Sequence, residues 1–251
     1  MIIVSIYSCA DLHGMYDLWE QIRDFLQPND RLIFLGDAID RGPDGYKIMC
    51  EMLSDPRITY IIGNHEYMMY HALKEIRDDN PADLFYLWMY NGGEPTYNAW
   101  LWAGGNFNII STLKKLPYKI EYQSANFNKI QLCHAGYTPK KRSEISSSLS
   151  EVEKYDLVWN CTHFAEQIEQ DNDIVIHGHT PVLSLKRKLD EFNNWASNPI
   201  EYVVENGIMF YRNNCKIDID CGCVATGTAT LLNLDTFETI LFKGEPLYHE
   251  N

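Results

Sequence analysis

Leu32-Ile33-Phe34-Leu35-Gly36-Asp37-Ala38-Ile39-Asp40-Arg41-Gly42 passes without a break from four large apolar residues into two carboxylates, an arginine and a closing glycine. An apolar run cut off by Gly and Asp is the pattern of a buried strand. The helical spacing of Ile48, Met49, Met52 and Leu53 follows it. The same succession recurs outward in both directions. Residues 2–7 lead into Asp11-Leu12-His13-Gly14, and residues 59–62 into Gly63-Asn64-His65-Glu66. Residues 130–133 lead into His134-Ala135-Gly136, and residues 174–176 into His177-Gly178-His179-Thr180. Helical spacing also links Met15, Leu18, Trp19, Ile22, Phe25 and Leu26 until Pro28 stops it, and again Met69, Ala72, Leu73 and Ile76. Strands alternating with helices imply βαβ units.

The later chain is richer in strands. Residues 200–204, 207–211, 216–220 and 229–234 read as a meander, with Glu205-Asn206-Gly207 as a hairpin turn. These patterns predict an α/β fold, a four-layer α/β/β/α sandwich of two packed mixed sheets, with residues 1–251 forming a single domain. Residues 143–153 read as a surface loop or helix, and residues 186–199 as an exposed insertion.

The formal charge is 21 − 35 = −14, with 45% hydrophobic and 22% charged residues. That composition excludes wholesale disorder, and the acidity argues against a non-specific grip on nucleic acid. No apolar run is long enough to cross a bilayer and no basic leader precedes the first strand, so a cytoplasmic protein is expected. Seven scattered cysteines do not suggest a disulfide framework.

In open α/β sheets ligands bind beyond the carboxyl ends of strands. Here five such ends carry Asp, His, Asn or Arg, a set of hard donors suited to Mn²⁺, Fe²⁺ or Zn²⁺. Asp11 and His13, two apart on an extended strand end, would point the same way and share one ion. A second ion needs a bridging carboxylate, for which Asp37 is the natural candidate. Two carboxylates set against two divalent ions and Arg41 leave a locally cationic pocket in an acidic protein, which favours phosphate.

At these residues the chain resembles the calcineurin-like metallophosphoesterases, and within them the PPP-type serine/threonine protein phosphatases of bacteria and phages. The resemblance rests on five motifs in order, from Asp11-x-His13-Gly14 to Gly178-His179, and covers residues 3 to about 181. It implies two divalent ions, manganese foremost. Asp11, His13 and Asp37 would hold one, and Asp37, Asn64, His134 and His179 the other. Arg41 would bind phosphate oxygens. His65, oriented by Asp40, would protonate the leaving group while metal-bound hydroxide attacks phosphorus. Related bacterial enzymes carry a second phosphate-binding arginine in a Trp-x-Arg segment. Here Trp159-Asn160-Cys161 puts a cysteine there, so either Lys140, Lys141, Arg142 or His163 substitutes, or transition-state binding is weaker, or the substrate differs. The tail, Cys221-Gly222-Cys223-Val224-Ala225-Thr226-Gly227, lacks the paired glycines of that branch.

The implied activity is a phosphomonoesterase acting on phosphoserine or phosphothreonine in proteins, or on small phosphoesters. Cleavage of dinucleoside polyphosphates is the alternative, and a non-catalytic phospho-ligand binder the third. No membrane or nucleic-acid partner is expected. A cysteine-dependent phosphatase is excluded because no cysteine has Arg six positions on, and a P-loop enzyme because no Gly-x-x-x-x-Gly-Lys-Ser/Thr occurs. Several residues have plain structural readings: His71 as a surface residue and the Tyr67-Met68-Met69-Tyr70 run as packing; His177 could face the ions by spacing, but the resemblance selects His179. Trp88, Trp100 and Trp102 read equally well as lining of a substrate groove or as core packing.

Overall fold

The computed structural model describes residues 4–80, 83–127, 129–136, 149–166 and 173–248. Strands β1 (Ile6–Cys9), β2 (Arg31–Phe34) and β3 (Ile58–Tyr60) lie parallel, joined through helices α1 (Tyr16–Phe25) and α2 (Gly45–Ser54). On the other side of β1, β10 (Thr228–Asn233) and β11 (Thr239–Lys243) pair antiparallel, giving the order β11-β10-β1-β2-β3. The second sheet is also mixed. Its parallel centre is β5 (Lys129–Cys133), β6 (Ile174–His177) and β9 (Lys216–Asp218). Antiparallel β4 (Lys119–Gln123) flanks one side, and β8 (Ile208–Tyr211) and β7 (Tyr202–Glu205) the other.

Strand alternation sorts the core into layers. In β2 and just beyond, Leu32 and Phe34 turn toward helices while Ile33 and Leu35 turn toward the other sheet. Ile130, Leu132, Ile176 and Ile217 meet them from the second sheet. The first sheet's other face is covered by α1, α2, α3 (Asn64–Arg77), α4 (Asp83–Tyr90), α5 (Glu94–Trp102) and α6 (Asn108–Leu113). On the second sheet's outer face, α7 (Glu151–Trp159) packs through Leu157 against Cys133 and Val175, and α8 (Val182–Asn193) through Leu185 and Leu189 against Met209 and Tyr211. The four-layer α/β/β/α sandwich is the observed architecture.

Two readings of the later chain are corrected. The meander ends at β9, and β10 leaves it to pair with β1 in the other sheet. Its run, Thr-Ala-Thr-Leu-Leu-Asn, is buried over its four middle residues, which fits a central strand covered on both faces, whichever sheet it joins. The supposed insertion at 186–199 is mostly α8. Val182, Leu185 and Leu189 form a buried stripe at helical spacing, hidden in the sequence among Lys186, Arg187, Lys188, Asp190 and Glu191. Of residues 143–153, those up to 148 lie outside the described residues. Ser150 and Glu153 form a reciprocal capping box that starts α7. No described helix is long and apolar enough to cross a membrane.

Candidate active site

The loops leaving β1, β2, β3, β5 and β6 converge at one edge of the two-sheet core. Backbone bonds lock the first two together: Asp11 N donates to Gly36 O (3.0 Å), His13 N to Asp37 O (2.9 Å) and Gly42 N to His13 O (3.0 Å). Asp11 and His13 do not continue an extended strand, as the spacing suggested. Their φ angles are +54° and +41°. Asp37, Asp40, Arg41 and His179 are also left-handed, at +60°, +72°, +66° and +70°. Each such non-glycine residue costs roughly 1–3 kcal/mol, a strain that persists only where the surroundings impose it. Six in one site mark loops shaped by what their side chains must do together.

Asp37 is the hub. Its Oδ2 lies 3.5 Å from His134 Nε2, 3.7 Å from His13 Nε2 and 3.8 Å from His65 Nε2. Two groups able to hold a cation share it: His13, Asp37 and His65, and Asp37, His134 and His179. Asn64 Oδ1 adds a donor beside the second group, 2.9 Å from His134 Nε2 and 3.1 Å from His179 Nδ1. Asp11 is anchored by His179 N on its Oδ2 (3.1 Å), while its buried Oδ1 has no partner among the described residues. Gly63 and Gly178 are the close-approach points, because a Cβ at either would fall on a carboxylate oxygen of Asp37 or Asp11.

The protonation pattern tests whether these residues suit a cation. His134 Nδ1 faces the Leu35 carbonyl at 2.7 Å and must donate its proton there. Burial pushes its pKa down to about 3, so at neutral pH the ring carries only that proton. Nε2 therefore presents a bare lone pair to Asn64 Oδ1 and Asp37 Oδ2. His13 repeats the device: its Nδ1 donates to Ile39 O (3.0 Å) and Nε2 is left as an acceptor. Lone pairs converging without protons are what a divalent ion satisfies, and the fixed tautomers are the usual outer support of metal-bound imidazoles. Burial raises Asp11 well above the ordinary carboxylate range, with Asp220 and Asp37 adding repulsion, and burial likewise raises Asp37. The donor set fits one or more cations.

His65 and Arg41 form the site's other half. His65 Nδ1 is 2.7 Å from Asp40 Oδ2, and its Nε2 accepts from Arg41 Nη2 (3.2 Å). Arg41 Nη1 also donates to His13 Nε2 (2.8 Å). Asp40 is fully buried and braced by Trp88 Nε1 on Oδ2 (2.8 Å), while Thr96 Oγ1 accepts from Asp40 N (2.9 Å).

The calcineurin-like phosphoesterase model matches residues 4–219. The chain belongs to that family. Serine/threonine-protein phosphatase 2 of Escherichia coli is 30% identical over 186 residues, 69% of this chain and 78% of that one. The symmetrical bis(5'-nucleosyl)-tetraphosphatase of Buchnera aphidicola is 31% identical over 145 residues, 55% of this chain, which spans only 46% of that relative. Among solved structures, a candidate diadenosine tetraphosphatase shares the fold at TM-score 0.60 and 16% identity, covering 96% of this chain and 94% of that one. A protein-tyrosine phosphatase from a psychrophilic Shewanella does so at 0.53 and 13%, covering 96% and 80%.

All nine residues singled out in sequence for the candidate site, Asp11, His13, Asp37, Asp40, Arg41, Asn64, His65, His134 and His179, lie together. The sequence reading missed their supports. Glu66 accepts from Asp37 N (2.8 Å), Ala38 N (3.0 Å), Gly63 N (3.0 Å) and the Tyr60 hydroxyl (2.8 Å), fixing the Asp37 loop. Its place three residues after Gly63, at the start of an apolar helix, was the available signal. Trp159 sets its ring edge-on to His179, 6.1 Å between centroids. His163 is buried under Gly136 and edge-on to His177 (4.4 Å), and so does not reach outward as a substitute cation. Lys140, Lys141 and Arg142 lie outside the described residues. His177 points away, its Nε2 2.8 Å from the Tyr211 hydroxyl. Met68, Met69, Trp88 and Trp100 are core, Trp102 is exposed, and His71 is half-buried between Tyr67 and Tyr70. Cys223 Sγ donates to Asp11 O (2.9 Å) and Cys221 Sγ lies 3.4 Å from Thr230 Oγ1, so this pair braces the loop edge.

Proposed function

We propose that the chain is a binuclear metal-dependent phosphomonoesterase acting on phosphoserine and phosphothreonine in proteins. The observation that carries this reading is Asp37, whose one carboxylate oxygen serves both imidazole groups at 3.5–3.8 Å. Asp11, His13 and Asp37 would hold one ion, and Asp37, Asn64, His134 and His179 the other. Two such ions, when bound, would clamp a phosphoryl group and supply a nucleophile from water near neutral pH. Mn²⁺ suits the mixed oxygen and imidazole donors, as do Fe²⁺ and Zn²⁺.

The chain's own residues do the rest. Arg41 carries a guanidinium fork within reach of both His13 and His65, placed to take the phosphoryl oxygens where charge collects. His65 turns Nε2 toward the same point, and Asp40 holds Nδ1 so that Nε2 can deliver a proton to the departing serine oxygen. In water an alkoxide is a poor leaving group, so that proton carries a large part of the barrier. Without a cation, burial holds His65 down to about 4 even though Asp37 opposes the shift, so a bound phosphoester dianion would help it keep its proton.

A dinucleoside-polyphosphate hydrolase is the second reading, supported by the tetraphosphatase relatives. The test is metal-reconstituted protein, with Mn²⁺, Fe²⁺, Zn²⁺ and Mg²⁺ compared, assayed on a phosphoserine peptide and on diadenosine tetraphosphate with metal content measured in parallel. Peptide turnover with two ions per chain supports the proposal. Turnover of the tetraphosphate alone replaces it with the second reading, and no turnover with any metal leaves a phospho-ligand binder.

A further inference from the structure

The catalytic edge opens on one side into a cleft of about 580 Å³, within the range of small-ligand pockets. His13 and Arg41 line its inner end, so whatever is attached to a phosphate gripped by Arg41 has this space beside it. Tyr90, Leu183, Val224 and Tyr248 form its walls. Three of them are open to solvent, Tyr90 at 90%, Leu183 at 68% and Tyr248 at 60% exposure. Exposed aromatic and aliphatic side chains gathered around a catalytic opening mark a binding surface more than a folding requirement.

The charges in the cleft are unequally placed. Among the described lining residues Arg41 is the only lysine or arginine, and it sits at the inner end. Asp220, on the wall formed by the turn after β9, is the only carboxylate among the described lining residues. Among the described lining residues no second cation follows Arg41, so an anionic chain leaving the first phosphate meets no described counter-charge along this cleft, in a protein of net charge −14.

We propose that this cleft selects phosphoserine or phosphothreonine segments carrying an aromatic or large apolar side chain next to the phosphorylated residue, and disfavours acidic neighbours and polyphosphates. The inference rests on the phosphomonoesterase reading and narrows its substrate class. The neighbouring side chain lies between Tyr90 and Tyr248, whose rings offer edge and face contacts without a charge to desolvate. The reacting bond is untouched by this contact, so selection falls mainly on KM.

The test uses phosphoserine peptides identical except at the residues flanking the phosphoserine, which are Phe, Ala or Glu, on manganese-loaded full-length protein. Serine is the leaving group throughout, so differences report binding and not bond strength. The Phe peptide is expected to exceed the Ala peptide by about tenfold in kcat/KM, through KM, with the Glu peptide lowest. In a Tyr90→Ala, Tyr248→Ala double variant the Phe-to-Ala ratio should fall to about twofold or less. Phe and Ala ratios within twofold in the parent protein, a preference for Glu, or faster turnover of diadenosine tetraphosphate than of the best peptide overturns the proposal. If no ester is hydrolysed, the phosphomonoesterase reading fails separately. Binding of the same peptides carrying a non-hydrolysable phosphonate in place of phosphoserine, followed by fluorescence anisotropy, then decides the cleft on its own. Tenfold tighter binding of the Phe peptide sustains it, and equal binding removes it.

Discussion

Asp37 and His65 carry different burdens although their side chains are 3.8 Å apart. Asp37 is shared by both imidazole groups, so Asp37→Asn removes the negative charge on which both depend. That variant is expected to hold less than one metal ion per chain by elemental analysis and to lose nearly all activity. Two retained ions would refute the bridging role. His65→Asn should keep its metals and lose roughly 10²–10⁴-fold in kcat on phosphoserine, the usual worth of a positioned proton donor. On a nitrophenyl ester, whose leaving group needs no proton, the loss should be much smaller. Equal losses on the two substrates would remove His65 from the role of acid and leave it as a ligand beside His13 and Asp37.

At the scale of elements, the site depends on how its loops are fastened. Glu66 collects four donors and sits at the start of α3, so it ties β3's loop to β2's loop. Burial raises its pKa to about 7, with Asp37 adding to the shift. Glu66→Gln turns one acceptor oxygen into a donor against backbone N–H groups. Metal affinity should drop by about 10- to 100-fold, as for other groups that support ligands, measured by competition with a chelator. Leu189→Ala in α8 opens the packing on Met209 and Tyr211 and should cost roughly 2–5 kcal/mol in denaturant unfolding. The strand ends were legible in sequence because a buried strand must end on a break in its apolar run, and the residues at that break are the ones that converge at the candidate site. α8 was not legible. Its three buried residues are outnumbered by charges on its solvent face, so a window average reads as polar. Glu66 and Trp88 escaped because their partners, the Asp37 loop and Asp40, are distant in sequence. The left-handed turns left no trace, because Asp, His and Arg at positive φ carry no signal comparable to glycine's.

For the whole molecule, buried acids and buried neutral histidines pull stability in opposite directions. Burial holds His134 and His177 at about 3, below the ordinary 6.5 of an unfolded chain. Their contribution is complete above pH 6.5 and is lost as pH falls from there toward 3. Asp220 and Glu66 are raised by burial to about 7. The folded state therefore binds protons that the unfolded state has released, and these groups subtract stability as pH rises from about 4 to 7. A divalent ion among the carboxylates offsets that penalty and releases the protons. The rise in Tm from chelator-treated to manganese-loaded protein should accordingly be larger at pH 7.5 than at pH 5.5. An equal rise at the two pH values would falsify this linkage.

The pairing of β10 with β1, Tyr7 opposite Asn233, bears on how the protein is made. Loop closure over more than two hundred residues is slow compared with forming a local hairpin. A chain emerging from the ribosome can assemble β1, β2 and β3 early, yet the edge of β1 next to Asp11 stays open until residue 234 has been synthesised. Cys223, which donates to the Asp11 carbonyl, arrives equally late. The loop that carries Asp11 and His13 thus gains its final shape only after residues 223–234 have been synthesised. Nascent chains stalled before β10 are therefore expected to bind manganese more weakly than the released chain.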